Sequence, residues 1–333
     1  MRLAFEEVKK TMQEILIKHG CSQEKAEKVA HEMGRNSLEG TYTHGINRFA
    51  RLVRNIEEGI VNPEADPETI AEFGGMVRID GHLGLGVINA WYAMEQAIEK
   101  AKLHGIGLAA LKNTNHWMRA ATYGCQACDA GMAGICFTNT IPNMPTWGAI
   151  DSRLGNNPIV FAFPRKGGHL IVDAAMSQFS YGALELACLQ GRKMPVDAGF
   201  DAEGNLTREP EAVIQSRRIL PTGYWKGAAM SFLLDVFASA CSGGNNVCQI
   251  GKLEGDEHGV SQIFLAINYK ALVPEAEAER IAEDAVSDLL ASQKDDKTHR
   301  ITYAGQKAGE AKKDNQANGI LVDERVWSEI LSL

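Results

Sequence analysis

No stretch of the 333-residue chain concentrates lysine or arginine, and acids outnumber bases by 42 to 34, for a formal net charge of −8. That balance speaks against nucleic acid or an anionic membrane as the main partner, because both are held by clustered cations. Nor does any apolar run approach the ~18 residues that a membrane span needs. The opening residues Met1-Arg2-Leu3-Ala4-Phe5-Glu6-Glu7 place acids where a secretory signal would carry an unbroken apolar core, so the cytoplasm is the expected compartment. The seven cysteines, at 21, 125, 128, 136, 188, 241 and 248, are odd in number and scattered; they make no disulfide framework. Cys125-Gln126-Ala127-Cys128 has no second Cys or His pair at ligand spacing and no basic neighbour to lower a thiol pKa. It reads as two buried thiols one turn apart, and no metal is expected. Internal repeats and low-complexity segments are also missing.

A dinucleotide fingerprint is present only in part. Gly84-Leu85-Gly86-Val87-Ile88-Asn89 follows a strand-like run and opens a helical one, yet Asn89 stands where a third glycine belongs. Lys112 and Asn113 stand where an acid should end the next strand. These glycines read as shaping a turn.

What is there is an ordinary globular composition, 45% hydrophobic and 23% charged, in a chain long enough for about two domains. Apolar residues at helical spacing mark 4–19 and 23–38, separated by Gly20 and the N-cap candidate Ser22, and a third helix runs over 45–58. A Pro- and acid-rich linker follows at 61–67. Then come short apolar runs of strand length at 76–80, 107–112, 133–139, 158–164 and 170–173, with helical patterns between some of them at 87–104 and 116–130. Further helices are expected at 177–190, 226–241 and 274–292, and a strand at 261–269. The alternation indicates an α/β sheet covered by helices. The expected division is a small all-helical unit, 1–72, joined by 271–333, and an α/β unit, 73–270.

Chemistry concentrates first in Thr43-His44-Gly45-Ile46-Asn47-Arg48, where an imidazole and a guanidinium stand four residues apart at a helix start, a spacing that puts both on one face. His44 is of the type that donates a proton to an oxygen becoming an alcohol, and Arg48 of the type that grips a carboxylate with two parallel bonds. Asn113-Thr114-Asn115-His116-Trp117 follows the 107–112 strand at the start of the next helix, so His116 is a second candidate polar contact. Asp173, ending a strand, suits a ribose hydroxyl or a helix cap. Trp225-Lys226-Gly227 places an indole and an ammonium before an apolar helix, a candidate clamp for a dinucleotide.

These stretches, with Tyr42-Thr43-His44-Gly45-Ile46-Asn47-Arg48-Phe49, Asn115-His116-Trp117-Met118-Arg119, Phe179-Ser180-Tyr181-Gly182 and Gly223-Tyr224-Trp225-Lys226-Gly227 agreeing in order and spacing, resemble the sulfolactate, malate and lactate dehydrogenase-like oxidoreductases over essentially the whole chain. The resemblance implies a nicotinamide-binding sheet unrelated to Rossmann's. It also implies a cytoplasmic homodimer that uses NADH, or alternatively NADPH, to reduce the C2 ketone of a sugar acid. By the same carry-over His44 is the proton donor, while Arg48, Asn115 and His116 hold substrate. Cofactor contacts fall on His169, Leu170, Ile171, Val172, Asp173, Ala174 and Ala175, on Trp225 and Lys226, and on Gly305, Gln306 and Lys307. The alternative on the same scaffold is a dehydrogenase of another small 2-hydroxy acid, of malate, lactate or ureidoglycolate type.

Overall fold

The computed structural model describes residues 1–294 and 300–333. Its centre is a seven-stranded sheet made of β1 (Glu68–Phe73), β2 (Met76–Asp80), β3 (Ile106–Thr114), β4 (Ala133–Thr138), β5 (Ile159–Phe163), β6 (Leu170–Ala174) and β7 (Val260–Ile267). The order is β1-β2-β3-β7-β4-β5-β6. Only β2 and β3 run parallel; the other five pairings are antiparallel. A parallel pair needs a crossover, and helix α4 (Gly86–His104) supplies it.

Side chains on a strand alternate between faces, so a strand covered on both sides is apolar throughout but feeds two separate cores. On β3, Ala109 and Leu111 join one buried cluster and Ala110 the other; on β7, Phe264 and Ala266 oppose Ile263 in the same way. The first cluster is completed by α4 (Ala90, Ala93, Ala97) and by Tyr123 and Ala127 of α5 (Ala121–Asp129). The second is completed by α6 (Tyr181–Leu189), α7 (Pro210–Ser216) and α8 (Trp225–Ser242), through Leu184, Val213, Leu234 and Ala238.

A third cluster joins α1 (Phe5–Lys18), α2 (Gln23–Leu38) and α3 (Ile46–Glu57) to the C-terminal end of the chain, through Val8, Met33, Phe49, Ile320, Val322 and Trp327. Ser22 caps α2, its side chain accepting from the Lys25 N–H. Arg2 and Leu3 pair with Leu321 and Ile320 as a two-stranded ribbon, which ties the N-terminus to residues near the C-terminus. α9 (Val247–Ile250), α10 (Glu275–Leu290), α11 (Gln306–Asn318) and α12 (Glu324–Leu331) complete the helices.

Several elements differ from those read off the sequence, and α7, α9, α11 and α12 were not expected there. The edge strand β1 occupies 68–73, where no strand was expected; its residues are half-buried or exposed, so no apolar alternation marks it. The helix expected from residue 116 begins at Ala121, because Met118 sits at φ 62°, which no helix tolerates. His44 closes a 3-10 turn, Tyr42–His44, and Gly45 at φ −121°, ψ −124° breaks the chain before α3, so His44 and Arg48 do not share a helical face.

Candidate active site

The turn that carries His44 is pinned by the end of α2. Asn36 Nδ2 donates to the His44 carbonyl at 3.0 Å, and the Ile46 N–H donates to Ser37 Oγ at 2.8 Å. Gly45 is required by close approach: a Cβ there would stand 2.7 Å from the Met33 carbonyl oxygen and collide with Ser37. A similar need explains Gly86 of the incomplete fingerprint. A side chain at that position would run into the carbonyls of Asn115 and His116, so the glycine lets α4 start against the segment that bears His116.

The two histidines stack with ring centroids 5.6 Å apart and planes 24° off parallel. Thr43 Oγ1 lies 3.0 Å from His44 Nδ1. The Met118 N–H donates to His116 Nδ1 at 3.0 Å, which makes that nitrogen an acceptor and leaves the proton on Nε2. Burial, followed by the positive charges of Arg48 and Arg119, brings the His44 imidazole down to about 4. Burial, Arg48 and His44 hold His116 well below the ordinary imidazole value. Both rings are therefore neutral at pH 7.

Arg48 is the cation behind this. Its guanidinium makes no ion pair or hydrogen bond among the described residues, and burial and neighbouring Arg51 press it below the usual range. Arg51 by contrast is bound to Asp256, which also accepts from Asn55 Nδ2 at 3.1 Å and is drawn down to about 2. Guanidinium does not deprotonate in proteins, so Arg48 remains a half-buried positive charge without an anion.

His44, Arg48 and His116 line one cleft of about 2520 Å³, together with Ile171, Asp173, Ala175, Gly305, Gln306, Lys307 and Lys312. Of the 169–175 stretch, His169, Ile171, Asp173 and Ala175 reach the cleft, while Leu170, Val172 and Ala174 do not, as the two-residue period of β6 dictates. Asp173 Oδ2 accepts from the Ala121 N–H at 2.9 Å, capping α5 from another strand, and burial raises its pKa despite that bond. Asn115 does not line the cleft. Its Nδ2 is spent on the carbonyls of Leu83 (2.7 Å) and Gly84 (2.9 Å). Trp225 and Lys226 lie outside the cleft as well. Trp225, 61% exposed, borders a separate groove with Trp147 and Phe232.

The wall from 302 to 313 fits a dinucleotide. The side chain absent from Gly305 would stand 2.8 Å from the His169 carbonyl, which brings this segment against the start of β6, and the Ile171 N–H donates to the Ala304 carbonyl at 3.1 Å. The Gln306 N–H that opens α11 donates to the Tyr303 carbonyl at 3.2 Å, but no side chain caps the helix, and Lys307 and Lys312 stand in the same wall. An uncapped helix start beside cations suits a pyrophosphate. Among the described residues no three His, Cys, Asp or Glu side chains converge to hold a metal ion.

A family model for malate/L-lactate dehydrogenase matches residues 3–331. The chain belongs to the malate/L-lactate dehydrogenase family. It is similar to 2,3-diketo-L-gulonate reductase of Escherichia coli (strain K12 / DH10B), 41% identical over all 333 residues of both chains. It superposes on malate dehydrogenase of Entamoeba histolytica with a TM-score of 0.95 at 25% identity, covering 100% of this chain and 96% of that one. On sulfolactate dehydrogenase of Methanocaldococcus jannaschii the score is 0.88 at 27% identity, covering 99% and 95%. As a member of this dehydrogenase family the protein is an oxidoreductase of hydroxy or keto acids.

Burial disfavours thiol chemistry on α5. Cys125 and Cys128 are buried on α5, and desolvation pushes both thiols up, Cys125 to about 11, which makes them poor nucleophiles. Residues of this dehydrogenase that the sequence did not single out also line the cleft: Arg119, Glu257, Gln262 and Lys312. For Gln262 a signal existed, a carboxamide amid the apolar residues of β7. For the other three no local pattern marks the position.

Proposed function

We propose that this protein reduces the C2 ketone of 2,3-diketo-L-gulonate to 3-dehydro-L-gulonate with NADH. The observation that carries the reading is a guanidinium without an anion beside two neutral, stacked imidazoles in one cleft. A 2-keto acid supplies what that arrangement lacks: a carboxylate for Arg48 and, next to it, a carbonyl oxygen for an imidazole. The substrate is taken from the relatives that bear the reductase name.

In this reading the substrate carboxylate pairs with Arg48 and cancels the part of the His44 depression that comes from that charge, burial being the larger part, so the imidazole's pKa rises when the acid binds. His169, Ile171, Asp173 and Ala175, with Gly305, Gln306 and Lys307, would hold NADH, which when bound would supply the hydride. His44 delivers its proton to the developing alkoxide, and His116 donates its Nε2–H to the same oxygen. Asn115 acts by fixing the segment on which His116 stands. The sheet that carries the cofactor is not of Rossmann type in this proposal: one parallel pairing in six leaves no doubly wound half to hold a dinucleotide. The two-unit division, 1–72 with 271–333 against 73–270, draws support from the cluster that joins α1–α3 to residues 320–330, while Glu283 of α10 is paired with Arg165 beside the sheet.

The protein is a cytoplasmic homodimer in this proposal. Trp225, Met230, Phe232, Leu233, Val236 and Phe237 leave one face of α8 apolar and exposed, a surface that a second copy covers. Pairing there accounts for Trp225 and Lys226 as cofactor contacts in spite of their distance from their own cleft. A second reading, a dehydrogenase of malate type, is favoured by the superposition on malate dehydrogenase. Initial rates of NADH loss with 2,3-diketo-L-gulonate, oxaloacetate and pyruvate decide between them. Turnover of oxaloacetate alone would overturn the first reading.

A further inference from the structure

The environment of the imidazole pair holds acceptor oxygens that have no donor. Gln262 is fully buried on β7, its Nε2 lies 3.5 Å from the Asn115 carbonyl, and its Oε1 has no partner. Glu257, half-buried, takes the Ile141 N–H on Oε2 at 3.1 Å, which leaves its second oxygen free of donors among the described residues and open toward the cleft it lines. A buried acceptor without a donor is rare because it forfeits its hydration for nothing. Donors that complete such a set come with a ligand. They are not cationic, since Arg48 and Arg51 stand beside Glu257 and repel an ammonium. Neutral hydroxyl groups meet both conditions.

We infer that Gln262 and Glu257 are specificity-determining residues, which accept hydroxyl groups on the substrate chain beyond the keto and carboxyl carbons and, through the Glu257 carboxylate, turn away a second acid group. The inference rests on the proposed 2-keto acid reduction and narrows its substrate class to polyhydroxylated acids. Register supports it: Gln262 pairs with Leu111 and Thr138, at the sheet end from which the Asn115-His116 segment leaves β3, and both Gln262 and Glu257 line the cleft that holds His44 and Arg48. A dicarboxylic keto acid would set its second carboxylate against Glu257. A hydroxylated chain would satisfy it.

The test compares kcat/KM for 2,3-diketo-L-gulonate, pyruvate and oxaloacetate in the wild type, Gln262→Met and Glu257→Gln, with NADH quenching of tryptophan fluorescence as the check that each variant is folded. Loss of one hydroxyl acceptor lowers the diketogulonate-to-pyruvate ratio about tenfold in Gln262→Met. Removal of the charge raises the oxaloacetate-to-pyruvate ratio about tenfold in Glu257→Gln. Gln262→Asn, which keeps the carboxamide on a shorter stem, replaces the methionine variant if that one fails to fold, with the same expected direction. Ratios that stay constant while all rates fall together overturn the inference and leave both residues as structural. A wild type that turns over none of the three acids overturns the proposed reduction itself, and the specificity assignment with it.

Discussion

Two clusters of charge face the same cleft and are built on opposite plans. Around Glu39 every charge has a partner: Arg119 is bound to one carboxylate oxygen, Arg35 Nε lies 3.1 Å and Lys312 Nζ 3.4 Å from the other, and the whole set is packed between α2, α11 and the loop after His116. Burial alone would raise the Glu39 carboxyl, yet Arg119 and Arg35 together hold it below the ordinary value. Arg48, by contrast, has no salt bridge among the described residues, and burial together with its charge drives the neighbouring imidazoles neutral. The first cluster is complete as it stands and holds elements together. The second is completed only by an anion from solution, and that marks it as the place where a ligand acts.

Breaking each cluster should therefore show up in different measurements. The largest effect is expected for His44→Ala, with kcat for keto-acid reduction down by about 10²–10⁴, the usual yield of one positioned proton donor, and NADH quenching retained. Unchanged turnover would remove His44 from the chemistry. Glu39→Gln should instead cost about 3–5 kcal/mol of stability in denaturant unfolding, since it strands the buried Arg119 guanidinium and the half-buried Arg35, and Arg119→Met on top of it should recover part of the loss. An unfolding midpoint that does not move would mean the cluster is no support. Arg48→Lys is milder. An ammonium keeps the charge but not the two-pronged geometry, so KM for the keto acid should rise about tenfold with a smaller change in kcat. If KM stayed put, Arg48 would not be the carboxylate anchor.

The same contrast explains what could be seen in the sequence. β3 and β7, buried on both faces, announce themselves as apolar runs, and β2 and β6 keep apolar runs although they are partly exposed, so β2 to β7 were all legible; β1 was not, because its residues make neither a run nor an alternation. α11 is polar along most of its length, with Asn315 its one buried residue, so no helical stripe marks it. In the site, His44 and Arg48 were legible as a pair, since four residues bring them near each other whether or not a helix joins them. The reason for their poise was not. It depends on which cations have partners, and Arg51 finds Asp256, and Arg119 finds Glu39, across 205 and 80 residues of chain. The cap that Asp173 places on α5 is another contact no local window contains.

The smallest effect sharpens the comparison through pH. His44 titrates near 4 in the folded chain and, once unfolded, near the ordinary imidazole value of about 6.5. Between those values the unfolded state binds the extra proton, so stability is intact above about 6.5 and is lost as pH falls toward 4. His44→Gln, which cannot take up that proton, should show a shallower fall in thermal midpoint over this window while matching the wild type at pH 7.5. A saturating 2-hydroxy acid should partly flatten the wild-type curve in the same window, because its carboxylate on Arg48 removes the repulsion that, after burial, lowers the imidazole. The Glu39 cluster predicts no such response to ligand: its carboxylate is already neutralised, and no anion is missing there. Equal ligand protection at pH 7.5 and at pH 5 would mean that Arg48 does not set the charge state of His44.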